Sequence, residues 1–75
     1  MFSRKTIIAG CDEEGIRIAE NISRRFDSGL DLIGFIDKKN INLDENLPIP
    51  FIGILDEIRL LIDTYKINEV IFSSS

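Results

Sequence analysis

Lys5-Thr6-Ile7-Ile8-Ala9-Gly10-Cys11-Asp12-Glu13-Glu14-Gly15 is the stretch that decides the fold. A short β-branched run closes on a glycine and passes directly into residues with helical spacing. A buried strand, a tight turn and a helix N-terminus in that order are the start of a nucleotide-binding α/β unit. Three consecutive acids stand where a bound diphosphate would lie, so the same stretch argues for the fold more strongly than for the ligand.

Outward from this turn, Thr6 to Ala9 reads as a first parallel strand, β1. From Glu14 to about Phe26, the positions Gly15, Ala19, Ile22 and Phe26 form an apolar stripe that Ile16 and Ile18 widen, which predicts an amphipathic helix, α1. Its acidic start and the Arg24-Arg25 end both suit the helix dipole, and Asp27-Ser28-Gly29 stops it. Leu30 to Ile36 alternates loosely and is read as β2, ending at the polar turn Asp37-Lys38-Lys39-Asn40. Residues 42 to 46 have the composition of a surface loop. Pro48 to Gly53 is apolar, but proline donates no hydrogen bond to a ladder, so this β3 belongs at a sheet edge. Leu55, Ile58, Leu61, Ile62 and Tyr65 recur at helical spacing as α2, and Val70 to Phe72 is a last buried strand, β4, followed by Ser73-Ser74-Ser75.

The order βαββαβ, with right-handed crossovers, yields a mainly parallel sheet of order 3-2-1-4 with one helix on each face. An antiparallel β3 is the alternative. In either case the chain reverses direction between β1 and β4, and a ligand crevice is expected there, outside the carboxyl ends of the strands, at Gly10-Cys11-Asp12 and Ser73-Ser74. The strand β4 is apolar on both faces and forms an edge with nothing to cover it. The expectation is that residues 1–75 are a single domain belonging to a longer chain, or that this edge is used in self-association.

Composition narrows the functions. A chain of 75 residues buries only about 60 to 65% of its unfolded surface and supports one small core. Its net charge of −4 and scattered basic pairs argue against nucleic acid or an anionic membrane as partner. The run from Leu47 to Leu55 holds both prolines and falls far short of the roughly 20 residues that cross a bilayer. With one cysteine and no histidine there is no intrachain disulfide and no zinc or iron ligand set. A cytoplasmic location is the default expectation.

The dinucleotide fingerprint Gly-x-Gly-x-x-Gly falls here on Gly10, Asp12 and Gly15. The turn glycine and the helix-packing glycine are kept, while the glycine that admits phosphate is a carboxylate. Two like charges about 4 Å apart repel by about 1 kcal/mol in water and about 4 at an effective dielectric near 20. A helix N-terminus returns only about 0.3 to 1 kcal/mol to an anion. The acids Asp12, Glu13 and Glu14 therefore either cap the helix alone or line a weakened site that binds through the backbone of Gly10 to Glu13. Asp37 stands at the end of β2, where an acid takes ribose hydroxyls, though later in the chain than the roughly 20 residues usual after the glycine turn; ordinary turn chemistry explains it equally. Cys11 has acids around it and no histidine base, so its thiol is not a nucleophile. Ser73 either hydrogen-bonds a ligand across the crevice or is a polar exit. No catalytic constellation is present.

The blocks Ile8-Ala9-Gly10-Cys11-Asp12-Glu13-Glu14-Gly15, Ile33-Gly34-Phe35-Ile36-Asp37, Pro50-Phe51-Ile52-Gly53 and Tyr65 to Phe72 together resemble, over nearly the whole chain, the Rossmann-like domain of bacterial polysaccharide-biosynthesis proteins. That domain occurs in nucleotide-sugar 4,6-dehydratases and epimerases, in sugar-phosphate transferases and in some glycosyltransferases, and a similar one holds the nucleotide sugar in sugar O-acyltransferases. The resemblance implies an accessory module with NAD or a nucleotide sugar as ligand and with Gly10, Cys11, Asp12, Glu13, Asp37 and Ser73 as binding residues. Where that family has small residues after the glycine, this chain has Cys11-Asp12-Glu13. A structural or dimerisation domain without a ligand is the alternative.

Overall fold

In the computed structural model, which describes residues 3–25, 29–39 and 47–73, each strand forms where the sequence places a β-branched or aromatic run. The elements are β1 (Arg4–Ala9), α1 (Glu13–Ser23), β2 (Leu30–Asp37), β3 (Phe51–Ile54), a 3-10 turn (Leu55–Glu57) that leads into α2 (Ile58–Tyr65), and β4 (Glu69–Phe72). The sheet has the order β3-β2-β1-β4 and all three strand pairs are parallel. The expected α/β, Rossmann-like arrangement is what forms, and β3 is parallel rather than antiparallel. No helix among the described residues is long and apolar enough to cross a membrane.

Alternation along β1 divides the interior in two. Ile7 and Ala9 point to one face, where they meet Ile36, Leu61 and Ile67 beneath α2. Ile8 points to the other, where it meets Phe35, Ala19, Cys11 and Ile49 beneath α1. Ile7, Ile8, Phe35 and Ile36 are fully buried, and each contributes about 1.5 to 3 kcal/mol of apolar burial. One helix therefore covers each face.

The loose alternation of β2 has a specific cause. Thr6 is opposite Leu32 and Ile7 opposite Gly34, which leaves Ile33 as an extra residue with no partner across the pair. This β-bulge resets the side-chain period, so Leu32 and Phe35 share the α1 face while Ile33 and Ile36 share the α2 face. A similar shift at β3 skips Ile52 between Phe51 and Gly53.

Several boundaries differ from the sequence reading. β3 starts at Phe51 rather than Pro48; the preceding segment instead buries Ile49 under α1, and the Pro50 carbonyl accepts from Phe35 N at 2.8 Å. Helix α1 stops at Ser23, so Arg24 and Arg25 lie past its last turn instead of inside it. The reason is local: Arg25 N bonds Ile22 O at 3.0 Å, an i→i+3 contact that ends the regular ladder. Helix α2 is entered through a 3-10 turn whose N-cap, Ile54, makes no side-chain capping bond. Its far end closes without glycine, Lys66 taking φ 57° while Ile67 N bonds Ile62 O at 2.9 Å. Phe26, Asp27, Ser28, Asn40, the expected loop at 42 to 46, Ser74 and Ser75 lie outside the described residues.

Gly15 is the contact through which α1 reaches the sheet. A Cβ there would lie 1.9 Å from the carbonyl oxygen of Gly10, which is backbone and has no rotamer by which to withdraw. Gly15→Ala should therefore lift the helix off β1 and cost about 1 to 3 kcal/mol, the usual penalty of overpacking, read as a fall in urea midpoint at constant slope. An unchanged midpoint would show that helix and strand separate freely at this point.

Candidate functional site

The turn after β1 is built from backbone conformation first. Gly10 has φ 123°, a region that L side chains rarely enter, and its N–H donates to Ile36 O at 2.7 Å. Space is short there as well: a Cβ on Gly10 would stand 1.9 Å from Ser73 Oγ. The exit of β4 thus lies directly over the glycine turn.

Two carboxylates then fix the turn from either side. Asp12 is the N-cap of α1, extended at φ −123°, with Oδ1 accepting from Gly15 N at 2.8 Å. Asp37, at the end of β2, accepts from Cys11 N through Oδ2 at 2.8 Å and from Lys38 N through Oδ1 at 2.6 Å. One side chain therefore ties the end of β2 to the turn after β1. The Ser73 hydroxyl shares its proton between Ala9 O at 3.3 Å and Asp12 Oδ2 at 3.4 Å, which joins β4 to the same group.

These residues border a cleft of about 280 Å³ across the carboxyl ends of the sheet. Gly10, Asp12, Asp37 and Ser73 supply its polar wall, together with Lys38. Ala9, Leu55 and Phe72 supply an apolar one, with Phe72 67% exposed. The volume is just under the roughly 300 to 1,000 Å³ of small-molecule pockets. Its place is the point where strand order reverses between β1 and β4, at which ligands of open α/β sheets bind.

Of the six residues singled out in the sequence, Gly10, Asp12, Asp37 and Ser73 come together at the cleft. Cys11 and Glu13 do not line it. Cys11 turns its side chain into the α1-face core and is 5% exposed, leaving only its N–H at the turn, and that N–H is occupied by Asp37. Glu13 projects into solvent and pairs with Arg17 at 3.7 Å across one helical turn. The residues not foreseen are Ala9, Lys38, Leu55 and Phe72. Applying the strand-end rule to every strand instead of only to β1 and β4 would have found Lys38 and Leu55, which follow β2 and β3 immediately.

Electrostatics at the turn protect the thiol from ionising. Burial pushes the Cys11 pKa above its ordinary 9.0, and the charges of Asp37 and Asp12 raise it further. At neutral pH such a thiol holds less of the nucleophilic thiolate than an ordinary cysteine. Among the described residues no group of His, Cys, Asp or Glu side chains is arranged to hold a metal ion. The arrangement is suited to hydrogen-bonding and enclosing a ligand.

Comparison with known proteins places the architecture. No family model matches the sequence, and no curated protein matches it. Among solved structures, UDP-D-quinovosamine 4-dehydrogenase from Vibrio fischeri is similar over 97% of this chain, with a TM-score of 0.75 and 21% identity. This chain spans 61% of that one. The two share a fold, and that fold is one used by an enzyme acting on a nucleotide sugar.

Two outcomes follow from the geometry. Asp37→Asn keeps the shape but offers one carbonyl oxygen in place of two, so either Cys11 N–H or Lys38 N–H loses its acceptor; stability should fall by about 1 to 3 kcal/mol, with faster amide exchange at Cys11, and an unchanged exchange rate would refute the clasp. For Cys11, the folded thiol stays protonated where the unfolded one ionises. The stabilisation linked to its raised pKa is therefore complete below pH 9.0 and is lost as pH rises above that value. Alkaline denaturation curves should show this slope in the native sequence and lose it in Cys11→Ala, and thiol reagents should label Cys11 only after denaturation.

Proposed function

We propose that this chain is an accessory binding domain of a bacterial polysaccharide-biosynthesis enzyme of the nucleotide-sugar epimerase or dehydratase type, with NAD or a nucleotide sugar as its ligand class. The observation that carries this reading is the convergence of Gly10, Asp12, Asp37 and Ser73 on one cleft at the strand-order reversal. Support comes from the fold likeness to a dehydrogenase whose name specifies a UDP-sugar. In this reading Asp37 keeps lone pairs for the ribose hydroxyls while it holds Cys11 N–H, since a carboxylate offers about four acceptor positions. Lys38 and the α1 N-terminus provide the positive end of the cleft. The domain supplies binding, and the rest of a longer chain supplies the chemistry.

A second reading has its own observation in favour. Asp12 is used as a helix cap and Asp37 as a strand-to-turn clasp, so both acids are accounted for without any ligand. A structural or dimerisation domain of a glycosyltransferase or sugar-phosphate transferase would need them only in those roles.

Amide chemical-shift mapping separates the two readings. On addition of NAD, UDP-N-acetylglucosamine or their nucleosides, the binding reading expects shifts confined to Gly10, Cys11, Asp12, Lys38, Phe72 and Ser73, with the exposed face of α1 unaffected. No shift at these amides with any of the compounds, up to millimolar concentration, would leave the structural reading standing.

A further inference from the structure

The cleft discriminates between the parts of a nucleotide, and on the reading that it binds NAD or a nucleotide sugar, we infer that the Asp12–Ser73 pair makes it a site for the nucleoside end of that ligand and keeps the diphosphate out of the glycine turn. Phosphate reaches a glycine turn of this kind by closing on its bare backbone. Here the position at which phosphate would close on a glycine is Asp12, and beside it Ser73 Oγ lies 1.9 Å from where a Gly10 Cβ would stand and 3.4 Å from Asp12 Oδ2. The second carboxylate oxygen of Asp12 is thus held toward the cleft while the first caps Gly15 N. A diphosphate in the turn would sit against this charge, with Lys38 after β2 the cation on the cleft wall. That repulsion does not face a ligand whose polar groups are hydroxyls, because a hydroxyl donates to the carboxylate that repels a phosphate.

The rest of the cleft suits what remains of a nucleotide once its phosphates are removed. Phe72 presents an aromatic surface that is 67% exposed at the cleft wall, and Leu55 provides a second apolar surface after β3. A planar base covering Phe72 removes this apolar area from water and stacks on the ring. The polar groups Asp37 and Asp12 then face the sugar hydroxyls. A volume of about 280 Å³ is small for a complete dinucleotide.

Calorimetry of the 75-residue chain at low ionic strength tests this, with EDTA present so that no divalent cation bridges carboxylate and phosphate. Adenosine, uridine, ADP, UDP and NAD are titrated into the native sequence, Asp12→Asn and Phe72→Ala. Asn retains the capping oxygen, and circular dichroism confirms that each variant folds. A nucleoside should bind the native chain at least about tenfold more tightly than its diphosphate, a ratio inside the range that one nearby like charge produces. Asp12→Asn should abolish that ratio by strengthening the diphosphate, and Phe72→Ala should weaken the nucleoside about fivefold or more, the scale of one base–aromatic stack. Tighter diphosphate than nucleoside binding by the native chain, or a ratio that Asp12→Asn does not alter, overturns the inference and leaves the nucleotide-binding reading intact. Diphosphate binding by Asp12→Asn alone, with no nucleoside bound by the native chain, overturns it too. If no compound binds either form, the nucleotide-binding reading falls, and this inference with it.

Discussion

The contact between Gly15 and the carbonyl of Gly10 sets the distance from which everything else in this structure is built. A hydrogen in place of a side chain lets the first turn of α1 rest on the end of β1, and no other residue type leaves that space. Because helix and strand are this close, Ala19 is fully buried one turn later and Ile16 and Ile18 reach the sheet on either side. The same closeness brings the capping carboxylate of Asp12 to the mouth of the cleft. Packing and site geometry therefore have one origin.

The acids at the turn show how one residue can serve stability and recognition with different atoms. Asp12 uses one oxygen to cap a helix and directs the other toward Ser73, and Asp37 uses both oxygens to hold the backbone at the turn. In a fold where glycine-rich turns accept phosphate on bare amides, occupying those amides with carboxylates changes what the turn can hold. The amides of Cys11 and Gly15 are already taken by Asp37 and Asp12, and the charge left facing the cleft has the sign of the phosphate. The fold is shared with a dehydrogenase of a nucleotide sugar.

The two edges of the sheet are managed differently. At β3, Pro48 and Pro50 precede the strand, and the only neighbour on its inner side is β2. At β4 there is no proline or lysine, and Phe72 is left largely exposed. The ion pair of Arg4 with Glu69 at 2.9 Å joins β4 to β1 from its inner side; being exposed, it adds at most about 1 kcal/mol. An aromatic residue at that position serves the cleft wall.

Strand order, the parallel pairing of β1 with β2 and β4, and the division of helices between faces were legible in the sequence, because the elements show in apolar periodicity and right-handed crossovers then arrange them. The direction of β3 was not legible there, and its pairing with β2 is parallel. Gly10 as a turn, Gly15 as a packing position and the edge placement of β3 all express local constraints that a residue carries with it. The bulge at Ile33 was visible only as imperfect alternation, since register depends on which partner strand lies alongside. What the tertiary structure alone decided is the direction and pairing of side chains at the turn: Cys11 into the core, Glu13 out to solvent, Asp37 onto the amide of residue 11, and Phe72 with Leu55 onto the cleft. Those choices depend on atoms brought together from the ends of four separate strands, and no spacing within one segment encodes a distance between them.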